Sequence, residues 1–153
     1  MIIAEHNILG HFYTYNDEYF GGVLPIPMIK VKHSFRTLGY FSCEYDEYGN
    51  MFNQAIEISD NYDYTSGQFR DILVHEMIHY YLAYMGIDIH CNHGSEFRKM
   101  ACEFNSKYGM NITSEIDLTP YSIREGKSKL MYTLSTLFWY LYWNNVFYEK
   151  RLY

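Results

Sequence analysis

Val74-His75-Glu76-Met77-Ile78-His79-Tyr80, with His93-Gly94-Ser95-Glu96-Phe97 beginning fourteen residues after His79, decides how the rest of the chain is read. On a helix, residues four apart share a face, so His75 and His79 can turn ring nitrogens toward one metal ion while Glu76 reaches a water beside it. That is the ligand pattern of a zinc hydrolase. Two histidines on a partly apolar helix are more often ordinary hydrogen-bonded residues, so the surroundings of the motif have to carry the reading.

The surroundings predict a helix over 66–85. Thr65-Ser66-Gly67-Gln68 reads as an N-cap with its reciprocal Gln three residues on, no proline interrupts the run to Met85, and Gly86 stands where a helix ends. One stripe of that helix carries Ile72, His75, His79 and Leu82; a neighbouring stripe, Val74, Ile78, Tyr81 and Met85, is apolar and large. The second stripe is expected to bury, placing the histidines at the floor of a cleft beside the core.

A catalytic zinc site takes three protein ligands and leaves a position for water, so a third ligand is needed. His93 is the first candidate, because Gly94 allows a turn just before a second helical pattern of Phe97, Met100, Ala101, Phe104 and Tyr108 that Gly109 stops. Glu96 on the first turn of that helix is the rival, and His90 and Cys91 lie near.

The same residues, with an ordered set of motifs before them, resemble the SprT-like metalloprotease domain, which includes the Spartan DNA–protein crosslink proteases. Tyr15-Asn16-x-x-Tyr19-Phe20, Leu24-Pro25, Arg36-x-Leu38-Gly39 and Ile56-x-Ile58-Ser59 precede His75-Glu76-x-x-His79 and His93-Gly94-x-x-Phe97 in the family's order, over residues 8–108. The resemblance implies a zincin-like fold, zinc held by His75, His79 and His93, and Glu76 as general base. It also implies that an edge strand pairs with extended substrate, for which the third strand of this chain is the expected one. Many such proteins add a zinc ribbon of paired Cys-x-x-Cys motifs; here Cys43, Cys91 and Cys102 are scattered and residues 129–153 are aromatic instead. The expected division is therefore 1–118, catalytic domain, and 119–153, an aromatic β-rich tail in place of the ribbon.

The expected fold class is α+β, a single zincin-like domain. Ile8, Leu9, Phe12, Tyr15 and Tyr19 recur at helical spacing up to Gly21-Gly22. Met28 to Lys32 alternates as a half-buried strand, Leu38 to Cys43 reads as a second, Asp46-Glu47-Tyr48-Gly49-Asn50 as a turn, and Gln54 to Ile58 as a third strand with Ile56 and Ile58 on one face. Leu130 to Trp143 spans only fourteen residues, short of the ~20 that cross a bilayer. With Asn144-Asn145 and Val146-Phe147-Tyr148 it reads as a C-terminal aromatic hairpin. At 153 residues and 48% hydrophobic the chain can bury one core. Unpaired cysteines and an N-terminus without an apolar leader make the cytoplasm the expected compartment.

Zinc held by three neutral imidazoles brings the pKa of its water towards ~7, and Glu76 can take that proton and return it to the leaving nitrogen. The oxyanion partner cannot be picked among eighteen tyrosines. Asp71, Glu103 or a backbone carbonyl are the acceptors expected behind the imidazoles. A protein or peptide is the expected substrate. The net charge of -6 speaks against tight non-specific DNA binding. Lys30, Lys32, His33 and Arg36, and Arg124, Lys127, Lys129, Lys150 and Arg151, are the local clusters that could grip single-stranded DNA. No acidic calcium loop with a central glycine is present. Two functions of different class follow: a zinc metallopeptidase, acting on DNA-associated or crosslinked proteins among others, or a non-catalytic zinc-stabilised protein- or DNA-binding module. Glu76 favours the first, since a structural site has no use for a carboxylate beside the metal's open position.

Overall fold

Helix α1 (Glu5–Phe20) turns Ile8, Phe12, Asn16 and Phe20, each four residues apart, into the core, and ends where Gly21 adopts φ 65°. Tyr15 and Tyr19 flank this stripe, half-buried. Asn16 is the polar member of the buried row. Its Nδ2 donates to the Leu24 carbonyl at 2.9 Å and its Oδ1 accepts from the Leu24 N–H at 3.2 Å, so one side chain satisfies a buried backbone residue twice and fixes the path into the sheet. The computed structural model describes residues 3–115 and 117–127. The expected aromatic hairpin lies outside them.

Three strands follow: β1 (Met28–Lys32), β2 (Gly39–Tyr45) and β3 (Met51–Ser59), in the spatial order β1-β3-β2. β1 runs parallel to β3 and β2 antiparallel to it, with Ile29 opposite Ile56, Val31 opposite Ile58 and Phe41 opposite Ile56. Alternation puts these apolar side chains on the face that meets the helices. The β2–β3 turn is closed by Asp46, whose carboxylate accepts from the N–H groups of Tyr48 and Asn50 and from Asn50 Nδ2, with Gly49 at φ 81°. This topology corrects the expectation that the third strand lines the cleft. β3 is paired on both sides and has no free edge; β2, at the border of this sheet, is the strand beside the cleft.

After β4 (Tyr62–Asp63) comes α2 (Ser66–Tyr84), entered through a capping box in which Thr65 and Gln68 bond each other's backbone. It leaves through Gly86 at φ 68°, where Ile87 N–H meets the Leu82 carbonyl at 2.8 Å and Gly86 N–H meets Ala83 at 3.0 Å, the paired bonds of a Schellman ending. The helix buries more than the stripe expected of it. Val74 and Ile78 are fully covered, but so are Leu73, Met77 and Tyr80, and Met85 is 52% exposed. A helix enclosed by a sheet, two other helices and the segment after α3 has no solvent face to keep polar. Each such side chain contributes roughly 1.5–3 kcal/mol of burial.

Helix α3 (Ser95–Tyr108) covers α2 with Phe97, Ala101 and Phe104 and stops at Gly109, φ 61°. The chain then folds back, and a short β5 (Ser122–Ile123) is the last described element. Residues Met1–Ser122 form one compact unit, and the site lies in it. Among the described residues no helix is long and apolar enough to cross a membrane.

Candidate metal centre

One helical turn separates His75 from His79 on α2, and the loop from α2 to α3 brings His93 to the same point. The three Nε2 atoms stand 3.2 Å (His75 to His79), 3.1 Å (His79 to His93) and 3.0 Å (His75 to His93) apart. Nitrogens bound tetrahedrally to zinc at ~2.0–2.1 Å sit about 3.3 Å from one another, so the triangle matches an ion above its plane with a fourth position open. Among the described residues this is the group that could hold a metal. Glu96, the rival third ligand, is exposed on α3 and outside the trio, while His90 and Cys91 line the adjoining cavity without joining it.

The donor set also fits chemically. Burial, then the neighbouring rings, push the His75 pKa down to about 3, and burial followed by His93 pushes His79 down to about 4. His93 is lowered by burial as well. Neutral imidazoles keep a lone pair for a cation. The tautomer is set at His75, whose ring donates to the Thr113 carbonyl and so directs Nε2 at the centre.

That carbonyl arrives by a chain of side-chain bonds after α3. Arg70 Nη2 donates to the Gly109 carbonyl at 3.1 Å, Asp71 accepts the Asn111 N–H at 2.9 Å, and Asn105 brackets Ile112 with bonds of 2.9 and 2.7 Å. Asp71 thus places the acceptor and is not the acceptor, and Glu103 is exposed away from it. The His93 loop is shaped by Asp88, which accepts from the N–H groups of His90 and Asn92, with Cys91 between them at φ 52° and Arg98 donating to the His93 carbonyl.

Phe97 is a site residue that the sequence presented as core and as the last position of the His93-Gly94-x-x-Phe97 motif, without a role of its own. Its ring centroid lies 4.7, 4.5 and 4.6 Å from those of His75, His79 and His93, stacked on His79 at 22°. One ring therefore limits the rotation of all three imidazoles. The His93-Gly94-x-x-Phe97 motif was the available signal.

Glu76 is buried, 6% exposed, behind the trio. Burial raises its pKa to about 8, opposed by the Phe41 N–H that donates to its carboxylate. A cavity of about 280 Å³ opens between β2, α2 and the segment after α3, lined by Gly39, Phe41, His75, Glu76, His93 and Tyr121 among others.

No curated protein and no solved structure matches the chain. The model of the SprT-like family matches residues 9–116, a span that holds most of α1, the three-stranded sheet, α2 with His75, Glu76 and His79, and α3 with His93 before it. On that match over most of its length, the chain belongs to the SprT-like family.

Proposed function

We propose that this protein is a zinc metallopeptidase, a zincin-like catalytic domain over 1–118 in which His75, His79 and His93 hold the metal and Glu76 is the general base. The observation that carries the reading is a three-imidazole triangle with the buried Glu76 carboxyl beside it, both lining one cavity. Zinc bound there supplies Lewis acidity, activating a water and polarising a peptide carbonyl. Glu76 takes the proton of the attacking water and delivers it to the departing nitrogen. Phe97 and the Thr113 carbonyl keep the imidazoles in one orientation.

Substrate would enter as an extended polypeptide along β2. The bond from Ser59 N–H to the Leu38 carbonyl fixes the ladder phase, so Leu38, Tyr40 and Ser42 face β3, and the backbone groups of Gly39 and the Phe41 carbonyl point outward to the cleft, the Phe41 N–H being taken by Glu76. A strand laid there gains main-chain hydrogen bonds whatever its side chains. DNA-associated proteins stay within the proposed substrate range, but the first basic cluster is partly neutralised. Lys30 and Lys32 both reach Glu57, at 3.8 and 2.8 Å, and His33 meets Asp60.

Metal analysis of the purified protein, followed by incubation with an unfolded protein with and without single-stranded DNA, tests the proposal. One zinc per chain and cleavage that disappears in Glu76→Gln, with metal retained, is the expected outcome. Full metal loading with no cleavage in either condition would leave the second function, a zinc-stabilised binding module.

A further inference from the structure

Gly39 stands where the edge strand passes Glu76. A Cβ built on it would lie 2.6 Å from Glu76 Oε1 and 2.8 Å from Cγ, closer than a Cβ stands to other atoms in proteins, and 3.1 Å from Cδ, so the Glu76 side chain would have to shift. Its φ lies outside the left-handed region, so the backbone would accept any residue. Space is what demands glycine here. Two residues on, the Phe41 N–H, which points away from β3, bonds the same carboxylate.

We infer that Gly39 is a positioning residue for Glu76: the bare backbone at Gly39 and the donor at Phe41 form a socket in which β2 seats the carboxylate against α2. This deepens the peptidase proposal and rests on Glu76 being its base. The socket supplies two constraints, a wall and a hydrogen bond, so the carboxylate can neither swing toward the sheet nor rotate freely. The same strand edge is the one proposed to receive substrate, so a polypeptide bound there would lie within reach of the base that serves it.

Gly39→Ala tests this, read in two ways. In activity, kcat is expected to fall about 100-fold, the effect of moving a catalytic group by about 1 Å, with KM and zinc content within twofold of wild type. In stability, Gly39→Ala is expected to lower Tm when Glu76 is present and to leave it unchanged in a Glu76→Ala background, where the clashing Cγ, Cδ and Oε1 are gone. An equal loss of Tm in both backgrounds, or wild-type kcat in Gly39→Ala, overturns the inference. The Tm cycle needs no activity, so coupling between the two sites in a protein that cleaves nothing would support the socket while removing the peptidase proposal.

Discussion

At the scale of single residues, the site depends on groups that bear no ligand. Phe97 touches all three imidazoles, so Phe97→Leu, which keeps an apolar side chain of similar reach, should cost less than about 1.5 kcal/mol of stability. It should nevertheless weaken metal binding about tenfold or more, as outer partners of ligands commonly do. Competition with a colorimetric chelator measures the affinity and urea titration the stability; unchanged affinity would remove Phe97 from the site. Asn16 is a second such residue, remote from the metal. Asn16→Ala leaves the Leu24 N–H and carbonyl without their side-chain partners, and a loss of about 1–3 kcal/mol for each unsatisfied buried group is expected in the same titration.

At the scale of elements, the metal helix is fixed at both ends by bonds readable from its flanks, and its centre by what covers it. Thr65→Ala removes the side chain that accepts the Gln68 N–H at 3.2 Å and should cost about 0.5–2 kcal/mol, with no change in metal affinity because the cap is nearly three turns from His75. The capping box, the Gly109 stop and the Asp46 turn were legible because each is a local device whose partners lie within a few residues. The burial of Leu73, Met77 and Tyr80 was not. A periodicity argument assigns one buried face, whereas α2 is covered from several sides, Tyr80 by stacking on Phe41 at 5.0 Å and by donating to the Pro25 carbonyl.

At the scale of the whole molecule, metal and protons act on one equilibrium. Binding an ion only in the folded state stabilises it by about 2.7 kcal/mol at a free concentration of 100 Kd. A chelator should therefore lower Tm, and zinc should restore it. In the metal-free protein, His75 and His79 have folded pKa values of about 3 and 4, below the ordinary imidazole value of 6.5, so the unfolded chain binds more protons below pH 6.5. Their contribution is complete above pH 6.5 and is lost as pH falls toward 4. Glu76 acts oppositely, since its folded pKa of about 8 lies above 4.5, and its contribution declines as pH rises from 4.5 to 8. Two histidines outweigh one carboxyl below pH 6.5, and the carboxyl acts alone above it. Metal-free stability should thus peak near pH 6.5, and Glu76→Gln should abolish the alkaline decline and steepen the rise below pH 6.5. A set of urea melts between pH 5 and 8 reads both limbs, and a flat profile would contradict the buried placement of these groups.

What the sequence by itself determined was the motif, the helix that carries it and the pair His75 and His79 with Glu76 between them, with His93 the first candidate for a third member beside its rival Glu96. These follow from spacing on a helix and from turn and cap chemistry that operates over a few residues. Only the tertiary structure decided which strand borders the cleft, because strand order depends on pairing between segments distant in the chain. It alone revealed the Thr113 carbonyl behind His75, the Phe97 ring under the trio and the gap at Gly39. Each of these is a contact across elements, where the demand on a residue is set by what stands opposite it and leaves no periodic trace in the chain.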